Sequence, residues 1–546
     1  MSTDFSRGQR VGFSYEEALD NIAYCMIQNN KWNTSPIAGA QRALWIKLRN
    51  LSMPLIKRLC LFLIILSFVL ATGCATNPVT HKPEIMLFSD QAEIEMGKEG
   101  NDAVLKQFGR YNDSALQGYI DQVGQNIARV NHRQGLSYHY MVVDFAILNA
   151  FALPGGYIYI NRGLLAYLNN EAQLASILGH ETGHVAARHG VKKYQKAIGA
   201  QLVLAGVSLA TESPGLAVGT NLLLSAILQG YSRKDERQAD ELGALYMYRA
   251  GYDPLEMPAF FKILNQMEKQ SPNLIEQLFA SHPPTPDRVE KTEAYAGELI
   301  KEKTIGLAVD HNRYIARLDG LVFGPGERDS IIDGNLYKNR YFRYQIQMPA
   351  GWKIQWGDAG GSVVAQDLSK RYLCQVIPLE LEEKQTPHEL AATVEKNSGL
   401  QPHAASSITI EGEKAYRVDY QVRSQSGGWL GLRIVYITRE RMGFIIVNLA
   451  SLQEFAAGEK IFNVALLNFR LLSAQQAAQI PLHRLKVYTV KSGDTFQTIS
   501  KRFYQTTTYD DDIKQFNGME GLTAPPPGTL IKIKPLLPKT AEKTED

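Results

Sequence analysis

The sequence predicts a multidomain α+β protein: a mainly helical domain with a small edge-strand sheet, then an α+β domain, then a small βααβ domain. Three observations support this prediction. The chain has 546 residues, which exceeds the usual length of a single domain. Helical periodicity dominates up to about residue 310, and strand-like runs dominate residues 334–475. Two short helices then lie between two strands in residues 485–536.

The composition is that of a soluble globular chain. Hydrophobic residues make up 45% of the sequence and charged residues 21%, both close to ordinary values. The formal net charge is +3, which is too small to indicate a nucleic-acid partner.

A targeting signal precedes the first domain. Met53–Arg58 is a short basic segment, Leu59–Leu70 is almost wholly apolar, and Ala71-Thr72-Gly73 leads into Cys74. The apolar run is too short to span a bilayer, so residues 53–73 are predicted to be a bacterial lipoprotein signal peptide with lipidation at Cys74. Ala75 at the following position favours sorting to the outer membrane, where the mature chain would face the periplasm.

The signal peptide has consequences for the regions around it. We interpret Met53 as the true start and residues 1–52 as a mis-called or disordered extension. Residues 74–88 are then a predicted tether. The chain has 4 cysteines, of which the mature protein would keep Cys74 and Cys374. Cys374 lies in an apolar, strand-like run, so we expect a buried thiol and no intrachain disulfide.

Residues 89–310 form the predicted helical domain. Helices are expected over 89–108, 114–131 and 171–189, the last with Asn169 or Asn170 as N-cap and Gly190 just after its C-terminus. The Leu-, Ala- and Gly-rich stretch 197–230 is interrupted by Glu212-Ser213-Pro214-Gly215. It predicts a buried or membrane-leaning helical hairpin, because each half is too short to cross a bilayer.

The third helix carries the run His180-Glu181-Thr182-Gly183-His184. A spacing of four places both histidines on one helical face, where the two imidazoles can share one zinc ion. Glu181 is then positioned as the general base that takes a proton from a zinc-bound water. We therefore predict one Zn²⁺ per chain, with His180 and His184 as ligands.

A second pair of residues completes the predicted metal site. Glu236 and Asp240 are again four apart on the helix that follows Tyr231. A carboxylate is a common third zinc ligand, so Glu236 is the predicted ligand, and Asp240 is predicted to accept the spare N–H of a ligating histidine. Without the helix that carries His180 and His184, the two acids would indicate only a solvent-exposed charged face of a helix.

These motifs resemble the gluzincin metallopeptidases of the HtpX-like, CAAX-prenyl-protease-like group, and above all its periplasmic BepA-type members. The resemblance covers about residues 89–300 and departs from the family at Gln238, where a second Glu is frequent. Besides H-E-x-x-H and E-x-x-x-D, the matching stretches are Asn149–Gly156, Tyr157–Ile160, Arg188-His189, and His282-Pro283-Pro284 with Arg288.

The resemblance implies a substrate-binding edge strand beside the active site, with Asn149, Phe151, Gly155 and Gly156. A peptide that pairs with such an edge is held by backbone hydrogen bonds, so side chains matter little. Unfolded or misassembled envelope proteins are therefore the expected substrates. From the residues alone, a strand in the core of the sheet is an equal alternative.

The remaining site residues have open roles. An oxyanion donor is expected, and the sequence does not choose among Arg288, His282, Arg233 and Tyr231. His282 could instead be a fourth zinc ligand that displaces the catalytic water and keeps the enzyme latent, or it could lie in an ordinary loop turn packed by Arg288. Arg188 and His189 are assigned to the helix C-terminus, where cations are favoured.

The last two domains carry no predicted catalytic group. Residues 334–475 are an α+β domain of unknown role, reached through a linker at 311–333. Residues 485–536 resemble a LysM module, which implies binding to N-acetylglucosamine-containing glycans such as peptidoglycan, through Gly493, Asp494, Thr495 and Asn517. A βααβ domain without a ligand is the alternative. Residues 537–546 are a predicted mobile tail.

Two functions from different classes follow. The first is a zinc endopeptidase that is anchored to the periplasmic face of the outer membrane and degrades misassembled envelope proteins. The second is a non-proteolytic or latent chaperone or scaffold for outer-membrane protein assembly. The complete set His180, Glu181, His184 and Glu236 favours the first.

Overall fold

A computed structural model describes residues 74–208, 220–270, 272–283, 286–301, 306–326, 330–357, 361–424 and 428–536. The predicted N-terminal extension, signal peptide and C-terminal tail lie outside these residues. The chain divides into two compact units, one combining residues 59–328 with 481–538 and the other formed by 329–480. The multidomain α+β class predicted from the sequence is confirmed.

Helices make up most of the first unit before residue 328. The first helix begins after Ser89, whose hydroxyl accepts the N–H of Ala92, and the second begins after Asp113, whose carboxylate accepts the N–H of Leu116. The helices are α1 Asp90–Phe108, α2 Ser114–Ala128, α3 Arg162–Leu165, α4 Glu171–Ala186, α5 His189–Ser208, α6 Thr220–Leu228, α7 Arg233–Arg249, α8 Glu256–Gln270, α9 Pro272–Ser281, α10 Pro286–Lys301 and α11 His311–Ala316.

Two small sheets accompany these helices. Strands β1 (Cys74–Thr76) and β2 (Pro83–Ile85) form an antiparallel hairpin. Strands β3 (His139–Val143), β4 (Ala150–Leu153) and β5 (Tyr157–Asn161) form a sheet in the order β3-β5-β4, with β3 parallel and β4 antiparallel to β5. The edge strand beside the metal site is thus β4, and Tyr157–Ile160 belongs to the central strand.

The predicted tether is partly structured. Glu84, at the middle of β2, forms an ion pair of 2.6 Å with Lys192 of α5. Just beyond β2, the N–H of Leu87 donates to Oε1 of Gln195 at 2.6 Å. These contacts tie the hairpin that starts at Cys74 to the peptidase helices.

The apolar region after the H-E-x-x-H helix packs within the first unit. Helix α5 begins at His189, earlier than predicted, and packs against α6, while residues 209–219 lie outside the described part. Leu223 and Ile227 of α6 are buried with Val104 and Phe108 of α1. Among the described residues, none of the helices has both the length and the apolar character needed to cross a membrane.

The second unit is built on two antiparallel sheets. A seven-stranded sheet has the order β12-β13-β14-β15-β11-β10-β9, and a four-stranded sheet has the order β16-β8-β7-β6. The elements are β6 Ser330–Asp333, β7 Leu336–Asn339, β8 Tyr344–Gln347, β9 Lys353–Trp356, β10 Val363–Gln366, β11 Tyr372–Glu380, α12 Pro387–Ser398, β12 Pro402–Ile410, β13 Glu413–Arg423, β14 Trp429–Arg439, β15 Met442–Ser451, α13 Leu452–Phe455, α14 Glu459–Leu467, β16 Phe469–Leu471 and α15 Ala474–Ala478.

The sequence pattern missed a turn in this unit. Residues 408–422 read as one strand, but Glu411 and Gly412 both have left-handed φ angles, of 53° and 80°, and join β12 to β13. Two left-handed residues in succession make a tight hairpin turn. Trp429, at the start of β14, is 53% exposed although large apolar residues of a strand are usually buried. Cys374 is buried as a free thiol, and burial raises its pKa to about 12.

The C-terminal module has the predicted βααβ order. It consists of β17 (Lys486–Thr489), α16 (Phe496–Tyr504), α17 (Asp510–Phe516) and β18 (Leu530–Ile533), with β17 and β18 antiparallel. It has a small core of its own, formed by Val490, Phe496, Ile499, Ile513, Met519, Ile531 and Ile533.

This module is packed against the peptidase helices of the same unit. Nζ of Lys532 is buried and donates to the carbonyls of Ala166 and Leu168 at 2.9 and 2.8 Å, and it lies 4.4 Å from the ring centre of Phe516. Phe516 in turn packs edge-on against Tyr167, with 5.4 Å between ring centres. The module therefore does not hang from a free linker.

Part of the predicted linker belongs to this interface. Residues 311–316 form α11, whose Tyr314 is fully buried and donates to the carbonyl of Leu165 at 2.6 Å. The neighbouring Asn312 accepts the N–H of Leu530 at 2.8 Å. The prediction of a linker at 311–333 did not include these two contacts, because both are made to residues far away in the sequence.

Lys532→Met is expected to loosen the interface by about 2–4 kcal/mol, because it leaves two buried carbonyls without a donor while keeping the apolar stem. We expect proteinase K under native conditions to release the C-terminal module from this variant faster than from the wild type. Lys534→Met is the matched control, since Lys534 is partly exposed and pairs with Asp512. Equal release rates for wild type and Lys532→Met would contradict the expectation.

Candidate metal centre and active site

Small residues bring the two ligand-bearing helices together. Gly179 and Gly183 of α4 face Gly243 and Ala239 of α7, and a Cβ at Gly243 would lie 2.9 Å from the N of His180. Such close backbone approach is possible only with small side chains. It places the predicted ligands of α7 directly opposite those of α4, and all of α4 is buried.

Four side chains converge on one point. Nε2 of His180 lies 3.0 Å from Nε2 of His184 and 3.3 Å from Nδ1 of His282. Oε1 of Glu236 lies 3.4 Å from Nε2 of His184 and 3.2 Å from Nδ1 of His282. All four residues are buried, and one donor atom from each lies within 4.8 Å of the others.

The spacing and chemistry of these donors fit a zinc ion. Two atoms bound at about 2.1 Å to one tetrahedral ion lie about 3.4 Å apart, which is close to the distances between these donors. Three imidazoles and one carboxylate are also ligands that zinc accepts. The predicted set His180, His184 and Glu236 is therefore joined by His282 as a fourth donor.

Asp240 and Arg288 lie behind this donor set. Oδ1 of Asp240 is 2.9 Å from Nδ1 of His180, as predicted for the residue that orients this ligand. Arg288 donates to both carboxylate oxygens of Asp240 at 2.7 and 2.8 Å, and its Nη1 lies 3.2 Å from Oε2 of Glu236. Because these carboxylates occupy its guanidinium, Arg288 is placed to orient Asp240 and Glu236, and its role as an oxyanion donor stays a prediction.

His189 is a site residue whose role the sequence reading missed. It is buried, and its Nδ1 lies 3.0 Å from Nδ1 of His184, while its Nε2 lies 3.0 Å from Oε1 of Gln238. Since Nε2 of His184 faces the metal site, its proton must sit on Nδ1 and be donated to His189. His189 then donates from Nε2 to Gln238, so this pair holds the tautomer of a ligand.

The end of α4 also differs from the prediction. Arg188, rather than Gly190, has the left-handed backbone there, with φ of 59°. Its guanidinium pairs with the buried Glu93 at 2.9 Å and donates to the carbonyl of Phe88, which holds this unusual conformation in place. Neither Arg188 nor His189 therefore serves as a simple cation at a helix terminus.

Gln238→Leu is expected to weaken zinc binding about 10- to 100-fold, because it removes the acceptor that fixes His189 and, through it, His184. Competition with a chromophoric zinc chelator measures this change. Gln238→Glu keeps an acceptor at the same place and should bind zinc at least as tightly as the wild type. If the Leu variant keeps wild-type affinity, the His189–Gln238 pair has no part in metal binding.

Burial and mutual charge set the protonation of the site. Burial lowers the pKa of His184 well below its usual value, so it offers a neutral lone pair. Burial alone would raise the pKa of Glu236, but His282, His184 and His180 hold it well below its usual range. Burial would lower the pKa of His282, yet Glu236 and Glu181 raise it to about 9. An anionic Glu236 and a neutral His184 suit a divalent cation, whereas His282, with its raised pKa, must lose a proton before it can bind one.

Glu181 lies next to the donors without being one of them. Its Oε1 is 3.4 Å from Nε2 of His282, and its buried Oε2 has no hydrogen-bond partner in the part of the chain that is described. Burial raises the pKa of Glu181, against the opposing effect of His282 and His180. A carboxylate with a free oxygen and a raised pKa beside a metal site is suited to accept and return a proton.

Strand β4 presents an open edge to this site. The carbonyl of Asn149 accepts a hydrogen bond from the N–H of Asn161 on the neighbouring strand. Because backbone hydrogen bonds alternate along an antiparallel strand, the N–H and C=O groups of Ala150 and Ala152 point away from β5. The carbonyl of Ala150 indeed lies 3.2 Å from Nε2 of His282. His282 thus occupies both the fourth donor position and the backbone acceptor that a bound peptide would use.

The four residues predicted for the substrate edge make contacts that stabilise the strand and its turn. Phe151 is packed in an apolar cluster with Phe108 and Tyr159. Asn149 accepts from Ser281 through its side chain at 2.9 Å. Gly155 and Gly156 have φ of 76° and 92° in the tight turn between β4 and β5. The backbone groups of Ala150 and Ala152 that point away from β5 are therefore the ones available to an added peptide strand.

Two of the oxyanion candidates can be located. Tyr231 stacks on the ring of His184, with 4.0 Å between ring centres, and its buried hydroxyl has no hydrogen-bond partner among the described residues. Arg233 is exposed at the start of α7. Of these two, only Tyr231 contacts a metal donor.

The predicted glycan residues mostly stabilise the module itself. Asn517 is buried and bonds the backbone of Lys532 and Ile513 with its amide. Asp494 accepts from the hydroxyl of Tyr488 and the N–H of Lys491, and Thr495 caps α16. Gly493 has φ of 83° in the turn before them. The amide of Asn517 is fully used, so it is not available for glycan binding.

Comparison with known proteins agrees with this geometry. Residues 114–296 match the model of peptidase family M48, and residues 488–534 match the LysM domain. This chain carries an M48 metallopeptidase domain. The matched M48 segment contains the four metal donors, Glu181 and β4, and the LysM segment coincides with the packed C-terminal module.

Named relatives extend this result. The chain is 28% identical over 236 residues to the mitochondrial metalloendopeptidase OMA1 of Schizosaccharomyces pombe, covering 42% of this chain and 68% of that protein. It is 33% identical over 184 residues to OMA1 of Arabidopsis thaliana, covering 32% and 36%. It is 32% identical over 171 residues to the beta-barrel assembly-enhancing protease of Escherichia coli K12, covering 29% and 35%.

These matches confirm the predicted resemblance to BepA-type metallopeptidases with a LysM module. The chain spans about a third of the Arabidopsis and Escherichia coli relatives' lengths, and a larger share of the Schizosaccharomyces pombe protein. The match to the M48 family covers residues 114–296, which include the four donors and Glu181.

Proposed function

We propose that this protein is a zinc-dependent endopeptidase of the bacterial cell envelope that cleaves unfolded or misassembled envelope proteins. One observation carries the proposal: three zinc-compatible donors and a partly unpaired Glu181 lie beside the open edge of β4. A metal, a base and a peptide-binding edge are the three parts that peptide hydrolysis at such a site requires.

The chemistry follows from the positions of the residues. A zinc ion held by His180, His184 and Glu236 would polarise the scissile carbonyl and lower the pKa of water. Glu181 takes the proton of the attacking water on its free Oε2 and returns it to the leaving amine. The outward backbone of Ala150 and Ala152 holds the substrate as an added strand, and the hydroxyl of Tyr231 is the best-placed candidate for a further donor to the developing negative charge.

A latent state is the second candidate, and His282 favours it. Its imidazole contacts Glu236, Glu181, His180 and the carbonyl of Ala150 at 3.2–3.4 Å. While it stays there, neither water nor substrate can reach the fourth position. The protein would then act as a chaperone or scaffold in outer-membrane protein assembly until His282 leaves this position.

Anchoring and glycan binding complete the proposal. Lipidation of Cys74 would attach the chain to the outer membrane at the β1–β2 hairpin, which is tied to α5. The LysM module would contact peptidoglycan through its exposed loops near 491–495 and 520–524. Because the module is packed on the peptidase helices, binding to the cell wall would hold the active site in a set orientation.

The proposal is tested on the purified full chain with Cys74→Ser, which prevents lipidation. We expect bound zinc in the purified protein, and cleavage of a permanently unfolded substrate such as reduced, carboxymethylated lactalbumin. A chelator should stop the cleavage and added zinc should restore it. A folded, disulfide-intact lactalbumin sample is the matched control and should remain uncut.

Each outcome has a distinct meaning. Zinc together with chelator-sensitive cleavage supports the endopeptidase. Zinc without cleavage supports the latent protein closed by His282. Absence of zinc from the purified protein, with no gain of activity on its addition, would overturn both.

A further inference from the structure

The proposed active site opens into a large apolar cavity. The cavity and the solvent space at its mouth together have an empty volume of about 650 Å³. It extends between α4 and the helices α8 and α9. Its apolar lining includes Ile177, Met257, Phe260, Phe261, Leu264 and Phe279.

The cavity begins at the catalytic groups. His180, Glu181 and His282 line one end, and the outward-facing Ala150 of the edge strand lines it as well. A peptide added to β4 would pass its backbone over Ala150, which His282 now contacts. One side chain next to the scissile bond must then point towards this cavity, because side chains alternate along an extended strand.

The other side of the metal site is different. A smaller cavity of about 200 Å³ is lined by Ala152, Pro154, His184 and Tyr231, together with the charged pair Glu93 and Arg188. It is smaller than the first cavity, and its charged lining suits a large apolar group less well. The two sides of the scissile bond are therefore not equivalent.

We propose that the large cavity is a specificity pocket that takes one large apolar side chain, such as Leu, Met or Phe, flanking the scissile bond. This inference rests on the proposed peptidase function and narrows its substrates. Recognition by backbone pairing selects unfolded chains, and the pocket then selects segments that are buried in correctly folded proteins. Exposure of such a segment would mark a misfolded protein.

The test uses quenched fluorescent peptides that differ only at one position flanking the expected cut, with Leu, Phe, Met, Ala, Asp or Lys there. Both the full chain and its His282→Ala variant are assayed, so that a closed site is not mistaken for a lack of preference. Mass spectrometry of the products identifies which side of the cut carries the selected residue. We expect kcat/KM for Leu or Phe to exceed that for Ala by about 10- to 100-fold, from the transfer of the side chain out of water.

Two variants report on the pocket itself. Ile177→Phe places a larger side chain in the cavity, one helical turn before Glu181. It should lower kcat/KM for the Phe peptide relative to that for the Ala peptide. Asn265 is exposed at the cavity, so Asn265→Asp should not disturb folding. We expect this variant to raise the ratio of kcat/KM for the Lys peptide to kcat/KM for the Leu peptide by about two- to fivefold. Gln266→Glu makes the same charge change at the next, exposed residue, which does not line the cavity, and should leave the ratio unchanged.

The outcomes separate this inference from the function it rests on. No cleavage of any peptide by either protein would refute the peptidase. Cleavage with equal rates for Leu, Ala and Asp peptides, or ratios unaffected by both cavity variants, would refute the pocket while leaving the peptidase intact. A preference that moves with Ile177→Phe or Asn265→Asp, but not with Gln266→Glu, supports it.

Discussion

Glu181→Gln is expected to lower peptide cleavage by about 10²- to 10⁴-fold while the zinc content stays at the wild-type level. The reason is geometric: Glu181 is beside the four donors but is not one of them, and its Oε2 has no partner among the described residues. Gln keeps the size of the side chain and removes only its ability to accept a proton. Zinc content and the rate of cleavage of unfolded lactalbumin are measured on the same samples.

His180→Ala is the companion variant, because it should lose zinc and activity together. If Glu181→Gln instead loses zinc, Glu181 is a ligand and the assignment of Glu236 as the third ligand fails. If it keeps both zinc and activity, another group is the general base.

His282→Ala is expected to raise cleavage of unfolded protein and to retain zinc. Its imidazole now blocks the fourth donor position and the acceptor carbonyl of Ala150, and three donors remain without it. If the blocked form makes up about 99% of the molecules, opening it raises the rate by about 100-fold. The rate is measured at saturating zinc, so that any loss of metal affinity does not hide the gain.

His403→Ala is the matched control for loss of an imidazole, since His403 is exposed and belongs to the other compact unit. Its rate should equal that of the wild type. A rate for His282→Ala at or below the wild-type value, with zinc still bound, would show that His282 contributes to cleavage rather than blocking it.

Local patterns accounted for much of the peptidase domain. The spacing of four in His180–His184 and in Glu236–Asp240 is a property of single helices, and Asn170 caps α4 through its own neighbouring turn. The two ends of α4 show the difference. At its N-terminus, Asn170 caps the helix through a hydrogen bond to Gln173, only three residues away. At its C-terminus, the left-handed Arg188 is held by its ion pair with Glu93 of α1, far away in the sequence.

The same contrast applies to the edge strand. Turn and strand signals located residues 149–160, but alternation alone could not decide which strand lay at the edge. The parallel pairing of β3 with β5 decided it, because β3 took the other side of β5 and left β4 open.

The sequence by itself predicted the three proposed zinc ligands, the proposed base, the residue next to His180, and the order of the domains, because each follows from spacing within one element or from a short motif. Tertiary structure alone placed His282 against the other donors and the carbonyl of Ala150, Gln238 against His189, and Lys532 against the carbonyls of the peptidase domain. These contacts join residues 102 positions apart for His180 and His282, and 366 apart for Lys532 and Ala166. No local pattern specifies such pairs, since their energy comes from burial and hydrogen bonding that exist only once the chain has folded.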